Sequence, residues 1–182
     1  RFSLGNKDVG RYSSDNKKRH SAPYWERAEL KQRVGLSKNA VYQIDFEARF
    51  IEGFSGKRET FFQIHQGVRG CRVGPLVMLK FNNSELNLQI KTSDTKSMTY
   101  RRMDWKINEL LGEWHKFRII FDTISNKLSI SINSDPVFNT IFKLSECGIP
   151  HLKFGIYRDG SMDLKNRTSV VDFDKLVMTK LN

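Results

Sequence analysis

The feature that most constrains this chain is a two-residue alternation of apolar and polar side chains that recurs along most of its length. It is clearest between Tyr42 and Phe50, where every second residue is apolar and the residues between are Gln, Asp, Glu and Arg. Because successive side chains of a β-strand point to opposite faces, this pattern predicts a strand with one buried face. The same alternation predicts further strands at residues 86–90, 115–121, 128–132, 152–156 and 171–173.

Short polar segments rich in Gly, Asn, Ser and Pro separate these runs and are typical of turns. They are Glu52-Gly53, Ser55-Gly56, Asn82-Asn83, Ser125-Asn126 and Ser134-Asp135-Pro136. Only residues 105–111 have a weak helical character. Many short alternating strands with almost no helix predict an all-β fold, an antiparallel β-jelly roll (concanavalin A-like sandwich) with a concave polar groove.

The chain of 182 residues is long enough for one domain with its own hydrophobic core. We expect residues 1–24 to form a polar, basic N-terminal arm packed on the domain, and residues 25–182 to form the single jelly-roll domain. Lys and Arg outnumber Asp and Glu by 31 to 20, which gives a net charge of +11. This surplus indicates a polyanionic partner, and composition alone leaves nucleic acid, an anionic membrane and an acidic polysaccharide open.

Compartment is only weakly constrained. No apolar run approaches the roughly 20 residues that a membrane-spanning helix needs. The sequence starts at Arg1 without a signal-peptide pattern, so either a leader has been removed or the sequence is an excised segment. Cys71 and Cys147 lie outside any CxxC or Cys/His cluster, which argues against a structural zinc site. A disulfide between them and two buried free thiols are equally compatible with the sequence.

Three segments place reactive side chains on the polar face of a predicted strand, because residues spaced by two share a face. These side chains are Arg27, Glu29 and Lys31 in the first segment, Gln63 and His65 in the second, and Lys153 and Tyr157 in the third. Gly155 lies between the last two, and a glycine there leaves room for a ligand against the backbone. Each residue alone has an ordinary structural explanation, such as a surface ion pair, so only the combination is informative.

In this order, the three segments resemble the motifs of the jelly-roll polysaccharide lyases. They read Arg-Ala-Glu-Leu at 27–30, Gln-Ile-His at 63–65 and Lys-Phe-Gly-Ile-Tyr-Arg at 153–158. That group includes alginate lyases, glucuronan lyases and a jelly-roll heparin lyase. Weaker matches at 112–117 and 171–176 extend the resemblance from about residue 25 to about residue 178. Ala28, Lys31 and Arg158-Asp159 depart from the alginate-lyase pattern, which leaves the identity of the uronate open.

The resemblance implies a lyase that cleaves an acidic, uronate-containing polysaccharide (alginate, glucuronan or a heparin-like glycan) by β-elimination. Endolytic cleavage would leave 4,5-unsaturated uronate ends. It implies no metal and no other cofactor, and no metal-ligand cluster stands out in the sequence. We expect a secreted, extracellular or periplasmic monomer whose partner is an acidic polysaccharide, with no nucleic acid and no membrane bound.

The chemistry assigns roles to the matched residues. β-Elimination removes the C5 proton beside the uronate carboxylate and expels the 4-linked oxygen, so developing charge on that carboxylate must be neutralised. By the resemblance, Arg27 and Gln63 provide those contacts. Tyr157 is the acid and, on one stereochemical course, also the base, whereas His65 is the base on the other course or neutralises charge.

The pKa values set what these roles require. An unperturbed histidine titrates near 6.5 and a tyrosine near 10, so lowering the tyrosine pKa to about 8 requires a shift of roughly two units. One or two cations within about 4–6 Å supply that shift, and Lys153, Arg158 and Arg27 are the candidates. The residues expected to bind substrate are Lys153, Arg158, Glu29, Lys31, Gln89, Lys91, Lys80 and Arg72.

Three other classes compete with the lyase. A non-catalytic, lectin-like module for acidic glycans on the same sandwich is the strongest, and turnover separates it from an enzyme. A sandwich glycosidase needs paired carboxylates, and residues 44–48 lack the first acidic residue of the usual Glu-x-Asp-x-x-Glu arrangement. A nucleic-acid-binding domain would place aromatic residues among the cations of one face, whereas most aromatics here fall at inward-facing positions.

Overall fold

The computed structural model describes residues 1–5, 25–51, 54, 58–67, 74–93, 98–159 and 168–182. The described residues form twelve strands and one short helix. The strands are β1 (Phe2–Leu4), β2 (Trp25–Lys31), β3 (Val41–Phe50), β4 (Glu59–His65), β5 (Pro75–Asn82), β6 (Glu85–Ile90), β7 (Thr99–Lys106), β8 (Trp114–Asp122), β9 (Lys127–Ile132), β10 (Asp135–Ile141), β11 (His151–Asp159) and β12 (Ser169–Lys180). The helix α1 (Ile107–Leu110) follows β7.

The strands form two six-stranded sheets. The back sheet has the order β1-β12-β3-β8-β9-β10, and the groove sheet has the order β2-β11-β4-β5-β6-β7. All hydrogen-bonded neighbours within each sheet are antiparallel. The predicted all-β antiparallel jelly roll is therefore confirmed.

The alternation located the strands well. The predicted strand at 42–50 is β3, and Tyr42, Ile44 and Phe46 on its inward face are buried. The other predicted strands are found as well, although the last is longer than expected and runs from 169 to 180. Of the segment 105–111 that was predicted to be weakly helical, only the four residues of α1 are helical. Its first two residues belong to β7, and Leu111 caps the helix.

Two-residue turns join two of the hairpins. Asn83 and Ser84 connect β5 to β6, and Asn133 and Ser134 connect β9 to β10. All four residues have positive φ, as tight hairpin turns require. The turn predicted at 134–136 therefore begins one residue earlier, and Asp135 is already the first residue of β10. The turns predicted at 52–53 and 55–56 lie outside the described residues.

Phenylalanine side chains fill much of the space between the sheets. Phe46 of the back sheet stacks on Phe62 of the groove sheet, with ring centroids 5.4 Å apart, and on Phe117 at 5.0 Å. Phe50 makes edge-on contacts with Phe61 and Phe81. Because aromatic pairs gain energy beyond their buried area, these contacts stabilise the stacking of one sheet on the other.

Part of the expected N-terminal arm is a strand of the sandwich. Residues 2–4 pair with β12 as β1, and Leu4 is completely buried in the core. Residues 6–24, the remainder of that segment up to β2, lie outside the described residues.

Arg158, which the sequence predicts as a substrate contact, is the centre of a buried ionic cluster. Its Nε donates to Glu26 Oε2 at 2.5 Å, and its Nη1 donates to Glu59 Oε1 at 2.9 Å and to Ser169 Oγ at 2.6 Å. Its Nη2 donates to the carbonyl oxygens of Leu4 and Gly5. Neighbouring residues of a strand point to opposite faces, so the parity that directs Tyr157 to the polar face sends Arg158 into the interior. The cluster joins strands of both sheets.

Gly155 also differs from its predicted role, because its open face is occupied by protein. Its φ is +129°, and a Cβ added there would lie 2.1 Å from the carbonyl oxygen of Ala28 and 2.8 Å from the Cα of Glu29. The glycine therefore allows β2 to approach β11 closely, at an irregularity where the register of β11 with β4 shifts between Phe154 and Tyr157. The space that was expected to accept a ligand is taken by β2.

Replacing Arg158 tests the buried cluster. Arg158→Ala removes the cation that faces two buried carboxylates, so we expect the free energy of unfolding to fall by about 3–5 kcal/mol in chemical denaturation. Arg118→Ala is the matched control, since Arg118 pairs with Asp45 at 2.7 Å but is 58% exposed. The control should cost about 0–1 kcal/mol. Equal losses in the two variants would contradict the structural role of the cluster.

Candidate active site

Strand register brings the three predicted segments together on the polar face of the groove sheet. Tyr157 in β11 is paired with Arg27 in β2 on one side and with Thr60 in β4 on the other. Lys153 is likewise flanked by Lys31 and Gln63. Residues 27–31, 63–65 and 153–157, far apart in sequence, therefore lie side by side.

This face borders a cavity of about 660 Å³. The predicted site residues that line it are Arg27, Gln63, His65, Lys80, Gln89, Lys153, Tyr157 and Arg158. Arg158 borders the cavity although its side chain is buried among Glu26 and Glu59. Lining residues that the sequence did not single out include Arg58, Thr60 and Tyr100. The described lining contains several cationic side chains and neither Asp nor Glu, so it presents positive charge to whatever enters.

Glu29 orients two of the lining residues through hydrogen bonds. Its Oε2 accepts a hydrogen bond from Arg27 Nη1 at 2.9 Å, and its Oε1 accepts one from Gln63 Nε2 at 2.5 Å. Burial raises the pKa of the Glu29 carboxyl, and the charges of Arg27 and Lys153 oppose that rise. Glu29 was predicted to contact substrate, but it is absent from the described lining and holds Arg27 and Gln63 in place.

Arg27 also lies over the ring of Tyr157. The guanidinium carbon is 4.4 Å from the ring centroid, which is cation–π contact distance. The two residues are direct partners in the β2–β11 register, so their contact follows from strand pairing. Arg27 is therefore one of the cations expected near the tyrosine, whereas Arg158, another candidate beside Lys153, is buried in its own ionic cluster.

His65 is fixed at the end of β4. Its Nδ1 accepts a hydrogen bond from the backbone N–H of Gly67 at 2.9 Å. Burial, followed by the positive charge of Lys153, lowers the His65 pKa from 6.5 to about 3. The ring lies 5.4 Å from that of His151, its register partner in β11. His65 is therefore a neutral imidazole at ordinary pH.

A second part of the cavity lies over β5, β6 and β7. Met78, Gln89 and Tyr100 are successive register partners across these strands and continue the row that contains Gln63. Lys80 Nζ is 4.9 Å from the ring centroid of Tyr100, whose side chain is well exposed. The polar face therefore extends from the Arg27–Tyr157 pair across the whole groove sheet.

Besides Glu29, two predicted substrate contacts among the described residues do not line the cavity. Lys31 is exposed beside Lys153 on the edge strand β2. Lys91 follows β6 and is buried, and its backbone bonds to Leu76 and Lys143. Arg72 lies outside the described residues.

No cluster of three or more His, Cys, Asp or Glu side chains that could hold a metal is found in the part of the chain that the structure describes. Likewise, none of the described helices is long and apolar enough to cross a membrane. Cys147 is disulfide-bonded, and Cys71, the other cysteine of the chain, is not among the described residues.

Solved structures with the same fold include alginate lyases. Alginate lyase PA1167 from Pseudomonas aeruginosa matches with a TM-score of 0.66 and 17% identity, covering 98% of both chains. A variant of the family 7 alginate lyase A1-II' in complex with substrate (GGMG) matches with a TM-score of 0.69 and 15% identity, over 92% of this chain and 75% of that one. Alginate lyase AlyC3 in complex with dimannuronate gives 0.67 and 13%, over 99% and 89%.

The chain therefore has the jelly-roll fold of these polysaccharide lyases, and the predicted resemblance is confirmed at the level of the fold. Neither a family model nor a curated protein sequence matches the chain.

The lowered His65 pKa predicts acid sensitivity. Below about pH 6.5 the unfolded chain binds a proton at this histidine, whereas the folded chain does not until the pH approaches 3. The free energy of unfolding should therefore fall as the pH falls through this range, by up to about 1.4 kcal/mol per unit for one histidine. Chemical denaturation at several pH values measures the slope, and His65→Gln should reduce it. An unchanged slope in the variant would contradict the burial of a neutral His65.

Proposed function

We propose that this chain is a polysaccharide lyase that cleaves an acidic, uronate-containing polysaccharide by β-elimination. The observation that carries the proposal is the convergence of Arg27, Gln63, His65, Lys153 and Tyr157 on one cavity. These residues come from three separate segments, and their types are those that elimination beside a carboxylate needs. The alginate lyases that share the fold include complexes with oligosaccharides, which supports the same substrate class here.

The described lining suits a polyanion. Its charged residues are Arg and Lys, and the neighbouring Glu29 carboxylate accepts hydrogen bonds from Arg27 and Gln63. A uronate polymer carries a carboxylate on each acidic sugar, so successive sugars meet a surface of matching charge. The six strands of the groove sheet span about 24 Å, which gives room for several sugars and supports endolytic cleavage with 4,5-unsaturated ends.

Arg27 and Gln63 are the groups that neutralise the substrate carboxylate. Their orientation is fixed in advance by Glu29, and donors held in place before the reaction stabilise developing charge most effectively. Arg27 makes two contacts: its Nη1 donates a hydrogen bond to Glu29, and its guanidinium lies over the ring of Tyr157. A carboxylate bound beside Tyr157 therefore lies within reach of a planar cation.

Tyr157 is the residue that moves the proton. A guanidinium 4.4 Å from its ring favours the phenolate over the neutral phenol, because opposite charges attract. The phenolate accepts the C5 proton, and the resulting phenol protonates the leaving oxygen. Tyr100, four strands away and exposed beside Lys80, offers an aromatic surface on which an outer sugar packs.

The compartment follows from the substrate. Acidic polysaccharides of this type lie outside the cell, and the disulfide at Cys147 suits a secreted or periplasmic protein. We expect the active form to be a monomer, since one chain supplies every residue of the proposed site. We also expect it to act without a cofactor and to bind neither nucleic acid nor membrane.

The test is turnover on a panel of uronate polymers, including alginate, glucuronan, heparin and hyaluronan. Elimination leaves a conjugated double bond, so a rise in ultraviolet absorbance with any polymer supports the lyase. Binding without any rise would leave a lectin-like module as the function of this site.

Tyr157→Phe tests the assigned proton donor and acceptor. We expect turnover to fall by about 10²–10⁴-fold, since the side chain keeps its shape but cannot carry the proton. A variant that kept more than about a tenth of the activity would contradict the assignment, because general acid–base groups contribute more than that.

Tyr42→Phe is the matched control for the loss of a tyrosine hydroxyl. Tyr42 is buried in the back sheet, where its hydroxyl oxygen accepts a hydrogen bond from the backbone of Ser37 at 2.8 Å. The control should lower the free energy of unfolding by about 1 kcal/mol and leave turnover unchanged.

A further inference from the structure

Gln66, the residue that follows β4, is buried and binds one distant residue with both ends of its side-chain amide. Its Nε2 donates to the carbonyl oxygen of Ser145 at 2.7 Å, and its Oε1 accepts from the Ser145 N–H at 3.1 Å. A backbone N–H can only donate and a carbonyl oxygen can only accept, so these two bonds fix the orientation of the amide. Gln66 therefore ties the end of β4 to a residue 79 positions further along the chain.

The segment that carries Ser145 is itself held in place. It is the connection between β10 and β11, residues 142–150. Lys38 Nζ donates to the Ser145 carbonyl oxygen at 3.2 Å, and the Pro150 carbonyl oxygen accepts a backbone hydrogen bond at 2.7 Å. Cys147, in the middle of the connection, is disulfide-bonded. Because its far end is fixed in this way, the amide contact can define the position of the chain after β4.

Strand pairing with β5 gives the end of β4 little support. The register between the two strands shifts at Ile64 and His65, and the partner of His65 in β5 is Pro75. A proline has no N–H to donate to the ladder. The contact that orients the imidazole comes from beyond the strand, since His65 Nδ1 accepts from the Gly67 N–H at 2.9 Å. Gln66 is the one residue that separates these two partners in the sequence.

We infer that Gln66 is a positioning residue of the proposed active site and sets the orientation of the His65 imidazole. Its two hydrogen bonds to Ser145 fix the main chain after β4, which keeps the Gly67 N–H at the ring nitrogen. This role rests on the proposed lyase activity. Gln66 is not among the described lining of the cavity, so it acts through His65, whichever step the imidazole serves.

The same connection also positions the neighbouring imidazole. His151 is the first residue of β11, directly after the connection 142–150, and its Nδ1 lies 3.1 Å from the Ile149 carbonyl oxygen. Its ring is 5.4 Å from that of His65. Both imidazoles therefore take their positions from one segment, His151 along the chain and His65 through Gln66.

Gln66→Met tests this role, because it removes both hydrogen bonds and keeps a long, unbranched side chain in the same space. The substrate is whichever polymer of the uronate panel the wild-type protein cleaves. We expect kcat to fall by about 10–100-fold, since small misplacements of a group in a site have effects of this size. KM should change by less than about threefold, because the lining residues that bind substrate are retained. A folded variant with more than about half of the wild-type kcat would overturn the inference.

Gln32→Met is the matched control. Gln32 follows β2, and its Oε1 accepts a hydrogen bond from the Leu152 N–H at 3.1 Å, so it also binds the backbone of β11. Its Nε2 faces Met178 and not the end of β4. We expect kcat to stay within about twofold of wild type, since the orientation of His65 is untouched. Equal falls in kcat in the two variants would show a general loss of stability and would overturn the positioning role.

Hydrogen exchange of the Gly67 amide, followed by NMR on isotope-labelled protein, tests the contact without turnover. We expect exchange to be at least about tenfold faster in Gln66→Met and unchanged in Gln32→Met, because the bond to His65 protects this amide. Unchanged exchange in Gln66→Met would overturn the inference and leave the lyase standing. Faster exchange in a protein whose wild type cleaves no polymer would instead overturn the lyase and leave Gln66 as the residue that orients His65.

Gln66→Glu replaces Gln66→Met if the latter does not fold. Above neutral pH the glutamate still accepts from the Ser145 N–H but turns a carboxylate oxygen toward the Ser145 carbonyl oxygen, so one of the two bonds is lost. We expect a lower kcat and faster exchange of the Gly67 amide, in the same directions as above. Wild-type values for both quantities would overturn the inference.

Discussion

The position of β11 is the constraint on which the rest of the site depends. Arg158 anchors this strand from inside, through a guanidinium shared by Glu26, Glu59 and Ser169. Once Arg158 is fixed in the interior, the alternation of the strand sends Tyr157 to the opposite, polar face. Gly155 permits the close approach of β2 that pairs Tyr157 with Arg27. A buried ionic cluster and a proposed catalytic residue are therefore neighbours in one strand for a geometric reason.

The electrostatics of the site depend on the position of Glu29. Glu29 accepts hydrogen bonds from Arg27 and Gln63 and so orients both, while the described lining of the cavity contains Arg and Lys but neither Asp nor Glu. The same cations, with burial, hold His65 in its neutral form. A fixed set of donors thus faces the place where negative charge would develop, while Tyr157 remains the group suited to carry the proton.

Much of the fold and part of the site could be predicted because both depend on local pattern. The alternation at 42–50 identified β3, and parity identified Arg27, Gln63, His65, Lys153 and Tyr157 as residues of polar faces. Roles that depend on a partner from a distant strand were missed. The burial of Arg158 was missed because its partners, Glu26 and Glu59, are 132 and 99 residues away in the sequence. Tyr100 was overlooked because its place beside Gln89 follows from register alone.

The sequence by itself determined which residues face inward and which face outward, because a strand has a period of two whatever it pairs with. It also determined the excess of positive charge, since composition does not depend on folding. Only the tertiary structure decided which strands are neighbours, that Glu29 binds both Arg27 and Gln63, and that β2 fills the space at Gly155. It also decided that His65 Nδ1 accepts a hydrogen bond from the Gly67 N–H, because this contact forms only once the end of β4 is folded.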